Sequence, residues 1–144
     1  MDFEKLPPFS AADVRIIIHA TEDKNKVLES ICGIFRIDAD RFRHTELIGH
    51  WGNRISLLTG NLESAEANRL VKKILLSLSS VEKNQLSSAS HSFIDEKGNL
   101  YLRLDKQRIC QKRISLSDTD SIRFKFKPAR RFKANSNCDY LAGD

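Results

Sequence analysis

The chain has little of what most functional classes need. It holds three cysteines, Cys32, Cys110 and Cys138, in 144 residues. An odd count with no CxxC spacing gives neither a disulfide framework nor a zinc site. Proline is confined to Pro7, Pro8 and Pro128, so the body of the chain is free to form helices and strands. No apolar run approaches the ~20 residues that span a bilayer. Met1 to Pro8 also lacks the basic-then-apolar layout of a signal peptide. No membrane association and a cytoplasmic location are the default expectations.

Catalytic motifs are missing too. There is no Walker loop, GxGxxG, HExxH or GxSxG. The aromatic signature of an RRM is absent. His19, His44, His50 and His91 have no ligand-like spacing, so the sequence calls for no metal, no cofactor and no catalytic residue.

What is present is one domain's worth of globular chain, with 40% hydrophobic and 30% charged residues. The net charge of +5 conceals an uneven distribution. Residues 1–96 carry 12 basic and 14 acidic side chains, whereas residues 97–133 carry 12 basic and 3 acidic ones. A positive segment inside a folded domain is the footprint of a polyanion partner, although a basic face can also simply be solvated.

Periodicity sets out the elements. Asp13–Thr21 alternates as a strand, with Val14, Ile16, Ile18 and Ala20 on one face and Arg15, Ile17 and His19 on the other. Thr21 reads as a helix N-cap with Glu22 and Asp23 in the first turn. Val27, Leu28, Ile31, Ile34 and Phe35 then recur at helical spacing. Thr45–Ile48 and Arg54–Thr59 read as strands, with Ile55 and Leu57 in the core. A second helix opens near Leu62–Ser64, with a stripe of Ala67, Leu70, Val71, Ile74, Leu75 and Leu78.

Val81–Ser88 reads either as a polar loop or as a short helix. His91–Ile94 and Leu100–Leu104 form a predicted hairpin around Gly98. Asp105 caps a short helix. Ile122, Phe124 and Phe126 make the buried face of a last strand, opposite Arg123, Lys125 and Lys127. The expectation is an α+β fold: a mixed, mostly antiparallel sheet with helices packed on one face, a two-layer sandwich. The domain spans 9–133, and 134–144 is a polar tail expected to be disordered.

Three short segments draw attention. In His19-Ala20-Thr21-Glu22-Asp23 the acidic residues are explained by capping, while His19 is free to meet a ligand. In Gly49-His50-Trp51-Gly52-Asn53 two glycines allow a sharp reversal that presents His50 and Trp51, the one tryptophan. Trp51 is then either a stacking platform for an unpaired base or a lid on the core. In Tyr101 to Arg108, Tyr101 and Arg103 oppose the buried leucines. Arg103, Lys106 and Arg108 suit phosphates, Tyr101 suits stacking, and Gln107 suits a base edge. The plain alternative is a hairpin strand with solvated charges.

In this order the three segments resemble a family of small archaeal proteins regarded as RNA-binding or exosome-associated. The resemblance runs from about Arg15 to Phe126. That family tends to have Tyr at the position of Trp51, Pro at that of Arg54 and small residues at Arg108-Ile109. The resemblance implies a single α+β domain, similar in fold to the large-subunit ribosomal protein that contacts five-S rRNA.

The expected function is therefore non-catalytic RNA binding, as an accessory factor of an exosome-like or ribosome-related assembly. RNA and subunits of such a complex are the expected partners. The candidate RNA-binding residues are His19, His50, Trp51, Asn53, Arg54, Tyr101, Arg103, Lys106, Gln107, Arg108, Arg123, Lys125, Lys127, Arg130 and Arg131. The alternatives are an RNA-directed enzyme using His19 and His50, or a protein adaptor with a basic face.

Overall fold

The central strand of the sheet is β1 (Phe9–His19), and its alternation is what places it there. Ala12, Val14, Ile16 and Ile18 are buried, while Arg15, Ile17 and His19 lie on the opposite face. A computed structural model describes residues 7–129. Around β1 are arranged β2 (Phe42–Ile48), β3 (Arg54–Glu63), β4 (Leu100–Asp105) and β5 (Ser121–Pro128). The five strands run in the order β2-β3-β1-β5-β4, and every neighbouring pair is antiparallel. This is the expected two-layer α+β arrangement.

Helices α1 (Lys24–Phe35) and α2 (Ser64–Ser77) cover one face. α1 contributes Val27, Ile31 and Phe35 to the core, and α2 contributes Ala67, Leu70, Val71, Ile74 and Leu75. The aromatic side chains of β5 are central to this layer. Phe124 meets Phe35 edge-on at 5.5 Å between centroids, and Phe126 meets Phe9 at 5.6 Å. Ile122, Phe124 and Phe126 are fully buried, as their alternation predicts.

Three expectations are corrected by the structure, and one left open is decided. The N-cap of α1 is Asp23, not Thr21; its carboxylate accepts from the Lys26 N–H at 3.2 Å. Thr21 belongs instead to a tight turn in which the Glu22 N–H bonds to the His19 carbonyl at 2.9 Å. The side chain of Glu22 folds back to accept from the His19 N–H.

The second correction concerns β3, which runs on to Glu63 and buries Leu58, Gly60 and Leu62 rather than Ile55 and Leu57. These three lie opposite Ile16, Val14 and Ala12 of β1 and so share its buried face. Gly60 lets the Phe42 ring pack close in this row: a Cβ there would lie 3.1 Å from the ring, which would have to shift by a few tenths of an ångström.

The alternative left open for 81–88 is decided as a helix: α3 (Ser80–Ser88) starts from a capping box in which Ser79 and Glu82 bond reciprocally. The third correction is that His91–Ile94 is not a hairpin strand. Ser90–Phe93 forms a single helical turn, α4, and only Ile94 pairs with Leu100. The turn after it is as expected, with Gly98 at φ 84°. Asp95 accepts from the N–H groups of Lys97 and Asn99 there, both at 2.9 Å.

Asp105 caps α5 (Lys106–Cys110) by accepting from the Arg108 N–H at 3.0 Å. The chain then returns along β4: the Asp105 N–H donates to the Ser115 carbonyl at 2.8 Å and the Ser117 N–H donates to the Arg103 carbonyl at 2.9 Å. This strap covers the outer edge of β4.

Candidate nucleic-acid interface

With α1 and α2 on one face, the other face of the sheet carries the odd-numbered residues of β1. Directly paired residues of antiparallel strands project to the same side, so the register lays side chains out in rows across this open face. One row reads Arg43, Thr59, Arg15, Arg123, Arg103, from β2 at one edge to β4 at the other. All four arginines are exposed. Among the described residues none of their guanidinium groups has an ion-pair or hydrogen-bond partner.

Strands lie ~4.8 Å apart, so the row spans roughly 20 Å. Arg15, Arg123 and Arg103, one strand apart, then fall inside a Debye length of about 8 Å at physiological salt, while Arg43 lies two strands from Arg15, roughly 10 Å away. Like charges directly opposite across strands destabilise a sheet. The row is a cost to the fold that an anion would relieve.

The adjoining row carries Asn61, Asp13, Lys125 and Tyr101. Here the charges are partly satisfied. Lys127, two residues further along β5, pairs with Asp13 at 3.2 Å, and the Lys125 ammonium lies 5.8 Å from the Tyr101 ring centroid. The Tyr101 hydroxyl donates to Asp95 at 2.8 Å. Burial and then this carboxylate push the Tyr101 hydroxyl above its ordinary pKa. Burial opposes ionisation of Asp95, but the Asn99 amide and N–H, the Tyr101 hydroxyl and the Lys97 N–H together hold it below the usual carboxylate range. Tyr101 is thus fixed at the rim of the face. Between the two rows lies a groove of about 310 Å³ lined by Arg15, Tyr101, Arg103, Arg123 and Lys125 among others.

The remaining candidates fall elsewhere. Lys106 is corrected outright: it is 0% exposed. Its ammonium group pairs with Glu22 and Asp120, both at 2.8 Å, and donates to the Ile17 carbonyl at 2.7 Å. Gln107 donates to the same Glu22 at 3.2 Å. The first and third sequence segments therefore meet at a structural clasp. His19 stands beside it, with ligand atoms of His19, Glu22 and Asp120 within 4.8 Å of one another. The positive charge between those carboxylates is already that of Lys106. His50 is not in this group; it packs edge-on against Trp51 at 4.8 Å. The convergence of His19, His50 and a carboxylate that an enzyme reading asks for is not formed.

Trp51 settles as an exposed tip. It is 88% exposed in the β2–β3 turn, beside Ile48 at 80%. Asn53 closes that turn, its carbonyl accepting from the Gly49 N–H at 2.7 Å. Arg54 has the opposite parity to Ile55 and leaves the open face. Arg108 lines a depression on the helix side with Lys73, Lys112 and Arg113. Arg130 and Arg131 lie outside the described residues. The sequence reading missed Arg15 and Arg43. The signal for Arg15 was its place on the second face of β1, next to Ile17.

The comparisons with known proteins agree with a nucleic-acid role. A family model described as RNA binding matches residues 11–128. An uncharacterized protein of Methanocaldococcus jannaschii is 32% identical over 112 residues, which cover 74% of this chain and 74% of that protein. An RNA-binding protein of Pyrococcus abyssi is 27% identical over 114 residues, 76% of this chain and 74% of that protein. The crystal structure of a DUF54 protein from Archaeglobus fulgidus matches with a TM-score of 0.76 at 26% identity, covering 94% of this chain and 98% of that one. A second DUF54 crystal structure, from Sulfolobus solfataricus, gives a TM-score of 0.71 at 28% identity over 92% and 97% of the two chains. With the model match extending from the first strand to the last, the chain belongs to this RNA-binding family.

Proposed function

We propose that this protein binds RNA through the open face of its sheet, with Arg43, Arg15, Arg123 and Arg103 receiving backbone phosphates. The observation that carries the reading is the row of four exposed arginines aligned by strand register, with no partner for their guanidinium groups among the described residues. Phosphate contacts of this kind give affinity and position without reading sequence. The protein acts without chemistry of its own, as an accessory factor that holds RNA for an exosome-like or ribosome-related assembly. The family match and the Pyrococcus relative's description support RNA as the polyanion.

The test is a titration with RNA across salt concentrations, with an acidic protein as control. Three to four phosphate contacts give a log–log slope of roughly −2 to −3, at about 0.7 per single-strand contact. The acidic protein is expected not to bind. Absence of RNA binding at low salt, or equal retention of the acidic protein, overturns the reading.

Trp51 adds a contact at a distance. It lies beyond Arg54, which is five residues or roughly 17 Å along β3 from the arginine row. Trp51→Ala is expected to change stability by no more than about 0.5 kcal/mol, as for an exposed side chain. It is expected to cost ~1–3 kcal/mol of affinity through lost base stacking, and only for RNA long enough to reach from the row to the tip. Melting curves and binding on the same variant, with short and long oligonucleotides, check both halves.

A further inference from the structure

At the β4 end of the arginine row the open face turns over the edge of the sheet into a second cavity. It has a volume of about 270 Å³ and is lined by Gln85 of α3, Phe93 of α4, Tyr101 and Arg103 of β4, and Asp118 after the strap. Tyr101 and Arg103 line both this cavity and the groove on the open face, so the two are continuous through them. The volume falls just below the range of drug-sized ligand pockets, ~300–1,000 Å³. It has room for one flat ring system rather than a larger cofactor.

Its chemistry separates it from the row. Two aromatic side chains and the Gln85 amide line it, and no described residue bonds to that amide. Asp118 carries no ion pair among the described residues, and its negative charge turns phosphate away from the interior. Glu82, which also lines the cavity, is spent: one oxygen serves Ser79 and the other accepts from the Leu116 N–H at 2.6 Å. Tyr101 is pre-set, because Asp95 holds its hydroxyl and is itself held by Asn99 at 3.0 Å. A fixed ring loses little freedom on stacking.

We infer that this cavity is a site for one unpaired nucleobase, whose phosphates lie on Arg103 and Arg123 while its ring stacks on Tyr101. The inference rests on the phosphate row and adds the class of RNA: single strands, whose bases can be splayed into an edge pocket, over duplexes, whose bases cannot.

The experiment compares a ten-nucleotide single-stranded RNA containing one 2-aminopurine with a blunt duplex of the same length. The intact protein is expected to bind the single strand more tightly and to change the 2-aminopurine fluorescence on binding. Tyr101→Val is expected to weaken single-strand binding roughly ten-fold, the scale of one lost base stack, and to leave duplex binding unchanged. Tyr101→Phe, which keeps the ring but loses the Asp95 bond that fixes it, is expected to weaken single-strand binding less than Tyr101→Val does. Gln85→Ala, on an exposed helix position, is expected to weaken single-strand binding alone by a few-fold. It keeps the test intact if the β4 variant misfolds. Equal binding of both RNAs with Gln85→Ala and Tyr101→Val silent overturns the base site and leaves the phosphate row standing. No binding of either RNA removes both.

Discussion

Replacing Arg15, Arg103 and Arg123 together with Gln is expected to weaken RNA binding by on the order of 100-fold near physiological salt, and to flatten the salt slope by about 2, at roughly 0.7 per contact. The same triple change is expected to leave the melting temperature unchanged or raised. The three residues are cross-strand neighbours in one row with no described anionic partner. Their mutual repulsion is a cost in the free protein. Few surface changes stabilise a fold while destroying an interaction, so the opposite signs are diagnostic of charge kept for a ligand. The matched control is Lys72→Gln, Lys73→Gln and Arg113→Gln. It removes the same charge from exposed positions away from the open face. If the control weakens binding as much as the row variant, net charge alone governs association and the row has no special part. If the row variant melts earlier and binds as before, the arginines serve the fold.

The arginine row shows why part of this molecule could be read from sequence and part could not. Elements whose signal is local were legible. The alternation of β1 from Val14 to His19, the stripe of α2, the cap at Asp105 and the aromatic face of β5 stand where the pattern put them, although β1 ends at His19 and leaves Ala20, expected on the buried face, exposed. The capping box Ser79-x-x-Glu82 was equally local, and it decides α3. By contrast, β3 carries apolar residues at both parities, Ile55 and Leu57 on one side and Leu58 and Leu62 on the other. Only pairing with β1 chooses between them.

The row is likewise a product of register between strands far apart in the chain. A sequence view places Arg123, Lys125 and Lys127 together along one strand. In the fold Lys127 turns to Asp13 and Lys125 to Tyr101. The partners of Arg123 are instead Arg15 and Arg103, across the strands. Trp51 was undecidable for a related reason. Whether a turn folds over the core or away from it depends on what the neighbouring elements leave uncovered.

Lys106 is the clearest misreading, and it yields the largest expected effect on stability. A lysine one residue past a strand end, flanked by Gln107 and Arg108, reads as solvated charge. What buries it comes from elsewhere: Glu22 from the turn before α1, Asp120 from the approach to β5, and the Ile17 carbonyl of β1. Removing one partner of a buried ion pair costs about 3–5 kcal/mol, because the remaining charge is stranded. Here the side chains of Glu22 and Asp120 are 16% and 44% exposed, so water can reach them. Lys106→Ala is therefore expected near the lower end, about 3 kcal/mol. With a shift of roughly 4 °C per kcal/mol for a domain of this size, the melting temperature should fall by roughly 12 °C. Lys106→Met, which refills the space but leaves the Ile17 carbonyl unbonded, is expected to lose less. RNA affinity of either variant, measured well below its melting temperature, is expected to match the parent, since the buried ammonium has no access to a phosphate. A variant that melts normally and loses RNA would reverse the assignment and return Lys106 to the binding surface.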